Sequence, residues 1–150
     1  SFCRHNVVHT ILMPRRVPSV RVAAANSGGL GLLARLEGEL LRADGELERA
    51  ITLLEEAVEI EDGLRYDEPE PLGFSVRHWL GDALWEAERH ADAVDVFRAE
   101  LLDHPNNGWS LFGLERSLRA LGMEREADVV REEFLEAWAR SDTYIRSPIF

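Results

Sequence analysis

Small residues recur in this chain at a spacing that few folds can use. Ala93 and Ala127 stand 34 residues apart, and the same step carries Glu88 to Gly122 and Leu84 to Leu118. Looking towards the N-terminus, Gly38 precedes Ala50 by the interval that separates Gly81 from Ala93. Ala50 and Ala93 lie 43 residues apart, one period plus nine, and the segment EDGLRYDEPEP, with its glycine and two prolines, is where the extra residues fit. A period of this length, filled by apolar residues at helical spacing, describes a pair of helices used repeatedly. One pair alone cannot bury its apolar faces, so successive pairs must stack.

The clearest unit runs from Phe74 to Pro105. It reads as two short helices joined by a tight turn near Glu88–His90. Gly81 on the first helix and Ala93 on the second allow close approach, and Phe97 fills the space beside them. Pro105 closes the unit, because proline has no amide proton and cannot continue a helix. Val76, Leu80 and Leu84 make the first apolar face, and Val94, Phe97 and Leu101 the second. The earlier pair uses Leu33, Leu36, Leu40 and Leu41, then Leu47, Ile51, Leu54 and Val58, with a turn at Ala43–Gly45. The later pair uses Leu111, Leu114, Leu118 and Leu121, then Ala127, Val130, Phe134 and Trp138. Asn106 or Asn107 supplies an N-cap for the fifth helix. The expectation is an all-α chain of about three helix-pair repeats, over residues 31–61, 74–105 and 107–140. Residues 1–30 are expected to form an irregular arm, with Asn26–Gly31 as its linker, and 143–150 a tail.

Beyond the period, the wording resembles tetratricopeptide repeat proteins, and within them a bacterial group. The matching segments are Gly38–Leu40 (GEL), the connector Glu61–Pro69 (E-D-x-L-x-Y-x-E-P), Arg77–Leu84 (R-H-x-L-G-x-A-L) and Pro105–Leu114 (P-x-N-x-W-x-L-x-G-L). The resemblance spans roughly residues 33–142. It implies a short right-handed superhelical array and a role in holding other proteins, and it carries no reaction with it. Two positions depart from the pattern: Glu88 stands where a turn glycine is usual, and Ser75 where proline is usual.

Charge narrows the function classes. The net charge is −11, and all 17 basic residues are arginine. Residues 1–36 carry five arginines and no acid, so the remainder, holding all 28 acids, stands at −16. A surface this acidic opposes nucleic-acid binding, whose phosphates need a basic footprint. The apolar run Val7–Met13 is too short to span a bilayer, and it lacks the preceding charge and longer core of a signal peptide. No membrane association and a cytoplasmic location are therefore expected. The single cysteine, Cys3, excludes an internal disulfide.

In stacked pairs the first helix of each pair lines the concave face. Its outward positions are Arg35, Glu39 and Arg42 in the first pair, His78, Asp82 and Trp85 in the second, and Phe112, Arg116 and Arg119 in the third, with Trp109 one turn before. Arginine at both ends and aromatics between suit an extended or helical peptide bearing carboxylates. The competing reading pairs the arginines with Glu39 and Asp82 and packs the aromatics between helices. Self-association through an exposed first helix is a further alternative.

Chemistry has few candidates. Cys3, His5 and His9 have zinc-compatible spacing but no obvious fourth ligand. His78, beside Arg77, could act as a base, although no nucleophile or pocket accompanies it in sequence; hydrogen bonds to the connector are the plainer reading. The acidic connector lacks the alternating oxygen ligands of a calcium loop. No nucleotide fingerprint, nucleophile elbow or HExxH is present. The sequence thus points to a non-enzymatic scaffold without cofactor, whose partner is a protein or peptide.

Overall fold

The computed structural model describes residues 27–64 and 74–149, and among them helices are the only regular secondary structure. Six helices follow one another: α1 (Ser27–Ala43), α2 (Leu47–Asp62), α3 (Arg77–Glu86), α4 (His90–Asp103), α5 (Gly108–Ala120) and α6 (Glu124–Ala137). Each packs on the next, and α3 also touches α1 and α5. The first helix begins at Ser27 and runs through Gly29 and Gly31, where a linker is expected from the sequence. Cys3, His5, His9, the Val7–Met13 run, Tyr66, Pro69 and Pro71 lie outside the described residues.

Three turns share one conformation. Gly45, Glu88 and Gly122 adopt φ of 80°, 59° and 72°. The residues after them, Glu46, Arg89 and Met123, have φ/ψ of −90°/57°, −84°/57° and −86°/56°. At each, the left-handed residue donates its amide three residues back, and its successor donates five residues back to Leu41, Leu84 or Leu118. This double bond satisfies carbonyls left open at a helix end, and it requires a left-handed residue. Gly45 and Gly122 meet that requirement without strain; Glu88 does so against its Cβ.

The core centres on a ring held between two backbones. Phe97 of α4 is fully buried. A Cβ added at Gly81 of α3 would lie 2.4 Å from its Cζ, and one at Gly113 of α5 would lie 2.3 Å from the same atom. Only glycine lets both helices approach the two faces of the wedge. In the first pair Leu54 takes the corresponding place against Gly38, whose added Cβ would stand 2.9 Å from Leu54 Cγ. Ala50, Ala57, Ala83, Ala93 and Ala127 are wholly buried at the remaining close approaches.

Polar groups tie the ends. Asn107 caps α5, accepting from the amides of Trp109 (3.0 Å) and Ser110 (3.3 Å). Glu61, at the end of α2, accepts from the Val76 amide at 3.0 Å and the Ser75 hydroxyl at 3.1 Å. Asp62 accepts from Arg77 Nη2 at 2.7 Å. These contacts join the two ends of the nine-residue insertion and explain why the acidic pair and the arginine occur together. At the other end the tail returns: Trp138 Nε1 donates to the Thr143 carbonyl at 2.8 Å, and Pro148 is fully buried.

One expected face is reversed. Leu33, Leu36 and Leu40 are 42%, 46% and 65% exposed, whereas Gly31 and Gly38 are buried. The apolar stripe of α1 points away from α2, and the glycine side makes the contact.

Gly81→Ala or Gly113→Ala is expected to lower stability by about 2–3 kcal/mol, the cost of overpacking a fixed ring; a loss under about 0.5 kcal/mol in urea unfolding would show that the helices part freely. Glu88→Gly is expected to raise stability by about 1 kcal/mol, the relief of left-handed strain less the added freedom of the unfolded chain, as a higher urea midpoint with unchanged slope.

Candidate interaction face on α1, α3 and α5

Asp82 is the hub of the face shared by α1, α3 and α5. It follows Gly81 on α3, so the close approach enforced by Phe97 sets its position. Its side chain is 7% exposed. Oδ2 accepts from Arg42 Nη2 of α1 at 2.5 Å, and Oδ1 accepts from Arg116 Nη2 of α5 at 2.7 Å. One carboxylate therefore bridges three helices. Arg42 also donates from Nε to Glu86 Oε2 at 2.5 Å, and its Nη1 lies 3.6 Å from Glu39. A planar guanidinium can serve two carboxylates at once in this way; an ammonium cannot do so with fixed geometry.

The aromatic residues divide between this face and the interior. Arg116 Cζ sits 4.0 Å from the centre of the Trp85 ring, and Arg35 Cζ 4.1 Å from that of Trp79, both cation–π contacts. Trp109 instead packs edge-on against Phe74 (5.3 Å) and Trp138 (5.1 Å). Phe112 lines a pocket of about 540 Å³ with Phe134, Trp138, Tyr144 and Ile145, between α5, α6 and the returning tail. Arg119 is turned towards α6, donating to Glu115 (3.1 Å), Glu124 (2.7 Å) and Asp128 (3.0 Å).

The expected site residues thus separate. The structure brings Arg42, Asp82, Trp85 and Arg116 together, keeps Arg35 nearby on Trp79, and places Trp109, Phe112 and Arg119 in other contacts. The pairing of arginines with Asp82 is the competing reading of the sequence, and it holds for Arg42 and Arg116. Glu86 was not singled out from the sequence, although it lies four residues after Asp82 and therefore on the same side of α3.

His78 does not belong to the face. It is 1% exposed, with Nδ1 3.0 Å from the Ser75 carbonyl and Nε2 2.9 Å from Ser110 Oγ. A carbonyl only accepts, so Nδ1 carries the proton and Nε2 accepts from the hydroxyl. A serine bonded to an imidazole has the outline of a nucleophile and its base. Ser110 is 0% exposed, however, so a substrate carbonyl has no approach to it. The pair is a buried strut between α3 and α5, and the expectation of an outward His78 is corrected. Among the described residues no three His, Cys, Asp or Glu side chains are grouped to hold a metal, and no helix is long and apolar enough to cross a membrane.

Three buried polar atoms around the hub have no hydrogen-bond partner: Trp85 Nε1, Arg116 Nε and Glu39 Oε1. Burial also pushes the Glu39 carboxyl above the ordinary carboxylate range, with the nearby Arg42 opposing it. An unpaired buried donor costs about 1–3 kcal/mol, so the arrangement holds unused bonding capacity.

Comparison with known proteins finds no matching family model and no curated protein that matches the chain.

Burial lowers the pKa of His78 below its ordinary range; Glu100 partly offsets this and His104 adds to it. The unfolded imidazole, with a pKa of about 6.5, therefore takes up its proton before the folded one. The contribution to stability is intact above that pH and is lost as pH falls through the lower folded value. Glu39 and Glu61, raised chiefly by burial, work in the opposite sense: their contribution is present below about pH 4.5 and is lost as pH rises through the raised values. Urea unfolding between about pH 8 and pH 5.5 is expected to show wild type losing more stability on acidification than His78→Asn. Parallel profiles would remove His78 as the source.

Proposed function

We propose that this chain is a non-enzymatic scaffold of tetratricopeptide type, which holds a peptide segment of a partner protein on the α1–α3–α5 face. In a right-handed stack of helix pairs, that face is the concave one. The recurrence of one turn conformation at Gly45, Glu88 and Gly122 supports the repeat reading. The observation that carries the binding reading is the hub itself. Three helices are locked together by Asp82, and beside it the stacked Trp85 and Arg116 remain partly exposed.

A fixed face with the partly exposed guanidinium groups of Arg42 and Arg116 suits an extended chain, whose carbonyl and carboxylate oxygens accept hydrogen bonds. The indole of Trp85 adds an apolar surface of the kind that anchors interfaces. The partner's carboxylates compete with Asp82 for Arg42 and Arg116, so the face selects on shape and hydrogen bonding more than on net charge.

The experiment is affinity capture from the source lysate with wild type and with Trp85→Leu/Arg116→Gln, each checked for unchanged helicity and melting. The expected result is a partner held by wild type and reduced at least tenfold by the double variant, about 1.4 kcal/mol or more of lost binding. Identical captured sets, or none beyond the chain itself, would overturn the reading.

A further inference from the structure

The outward face of α1 is apolar along its length. Leu33, Leu36 and Leu40 form a continuous stripe at helical spacing, and Leu30 and Leu32 are also exposed, each at 39%. This stripe lies on the opposite side of the helix from Arg42, which is nine residues, about two and a half turns, beyond Leu33. It is therefore distinct from the face assigned above to a partner. Exposed leucines grouped in this way mark a contact surface.

The borders of the stripe are acidic. Glu37 is one turn from Leu33 and Leu40, and Asp44 is one turn beyond Leu40. Neither carboxylate has an ion-pair partner among the described residues. An occupant of this face therefore combines an apolar run with flanking positive charge.

The chain contains one such segment. Val7–Met13 (VVHTILM) is an unbroken run apart from His9 and Thr10, and it is flanked by Arg4 on one side and Arg15 and Arg16 on the other. Residues 1–26 hold four arginines and no acid. Thirteen residues separate Met13 from Ser27, the first residue of α1. Extended, they reach about 43 Å, whereas α1 is about 25 Å long. The run can return to any point of the stripe, and tethering gives it a high effective concentration there. A second copy brings the same run without the tether, and brings with it another −16 over residues 37–150 towards Glu37 and Asp44.

We propose that the Val7–Met13 run of the same chain covers the leucine face of α1, with its flanking arginines against Glu37 and Asp44. The N-terminal segment then serves as the neighbour that the outer side of α1 otherwise lacks.

Cys3 makes the test direct, because it is the sole cysteine of the chain. A nitroxide attached there, four residues before Val7, broadens amide signals of any surface the run occupies. In the full chain, the amides of Leu33, Leu36 and Leu40 are expected to lose more than half of their intensity, independently of protein concentration. Leu36→Glu/Leu40→Glu is expected to restore them, while the amides of α3 to α5 keep their shifts and report an intact fold. Broadening confined to another surface, or absent, overturns the proposal. So does broadening that appears on isotope-labelled, nitroxide-free copies mixed with nitroxide-bearing ones, which would give the face to a second copy.

Discussion

Phe97 stands with its ring between the backbones of Gly81 and Gly113, and most of the structure follows from that contact. Burying a phenylalanine fully contributes about 1.5–3 kcal/mol before packing is counted. The larger effect is geometric, since a ring in contact with two glycines fixes the separation of α3 and α5 from α4. Asp82 is the next residue after Gly81, and Arg116 lies one turn beyond Gly113. Their 2.7 Å bond is thus set by the apolar wedge beside it between the same helices. His78 and Ser110, one turn earlier on each helix, close the opposite end of this contact. The polar struts register the two helices; the wedge brings them near enough to be strutted.

Electrostatics in this acidic chain is local. Residues 37–150 are strongly negative, yet their arginines are shared among several carboxylates. Arg42 spans Asp82 and Glu86, and Arg119 spans Glu115, Glu124 and Asp128. Exposed pairs such as those of Arg119 contribute little to stability, about 0–1 kcal/mol each. The Asp82 pairs are different, because the acceptor is buried and two cations depend on it. Removing Asp82 takes from Arg116 its carboxylate and from Arg42 one of the two it donates to, in a partly desolvated place, and this makes Asp82 a structural element of the face.

Much of the fold could be read from residue spacing. Ala50, Ala93 and Ala127 mark the three second helices, and the turn residues Gly45, Glu88 and Gly122 follow the same steps of 43 and 34 residues. Asn107 reads as a cap because a short polar side chain before a helical stripe has one favourable use. The leucines of α1 misled because periodicity reveals that a helix has an apolar face, but not what lies against it. Gly31 and Gly38 were the better signal, since small residues permit the closest backbone approach. The returning tail was not legible either: Ile145, Pro148 and Ile149 show no period, and only contact with Trp138 and the core gives them a place. For the candidate site, helical offsets placed Arg42, Asp82 and Arg116 on one side of their helices. Which carboxylate would neutralise which arginine depends on contacts across 34 and 40 residues, and no local pattern carries that information.

The two sides of α1 are linked through its stability. This helix packs chiefly on α2, with a smaller contact to α3, and the closest of those contacts are glycines. Glycine within a helix costs about 1 kcal/mol relative to alanine, and α1 carries four, so its own propensity is low. A helix with few buried side chains and one main neighbour opens more readily than the core. Arg42 is in its last turn and holds one side of Asp82. Whatever covers Leu33, Leu36 and Leu40 therefore also determines how firmly Arg42 is presented to Asp82 and Glu86. If the outer face is bare, the hub rests on α3 and α5 and α1 moves against it. If the face is covered, the three helices act as one surface, and the stack of Arg116 on Trp85 is held in place beside Asp82.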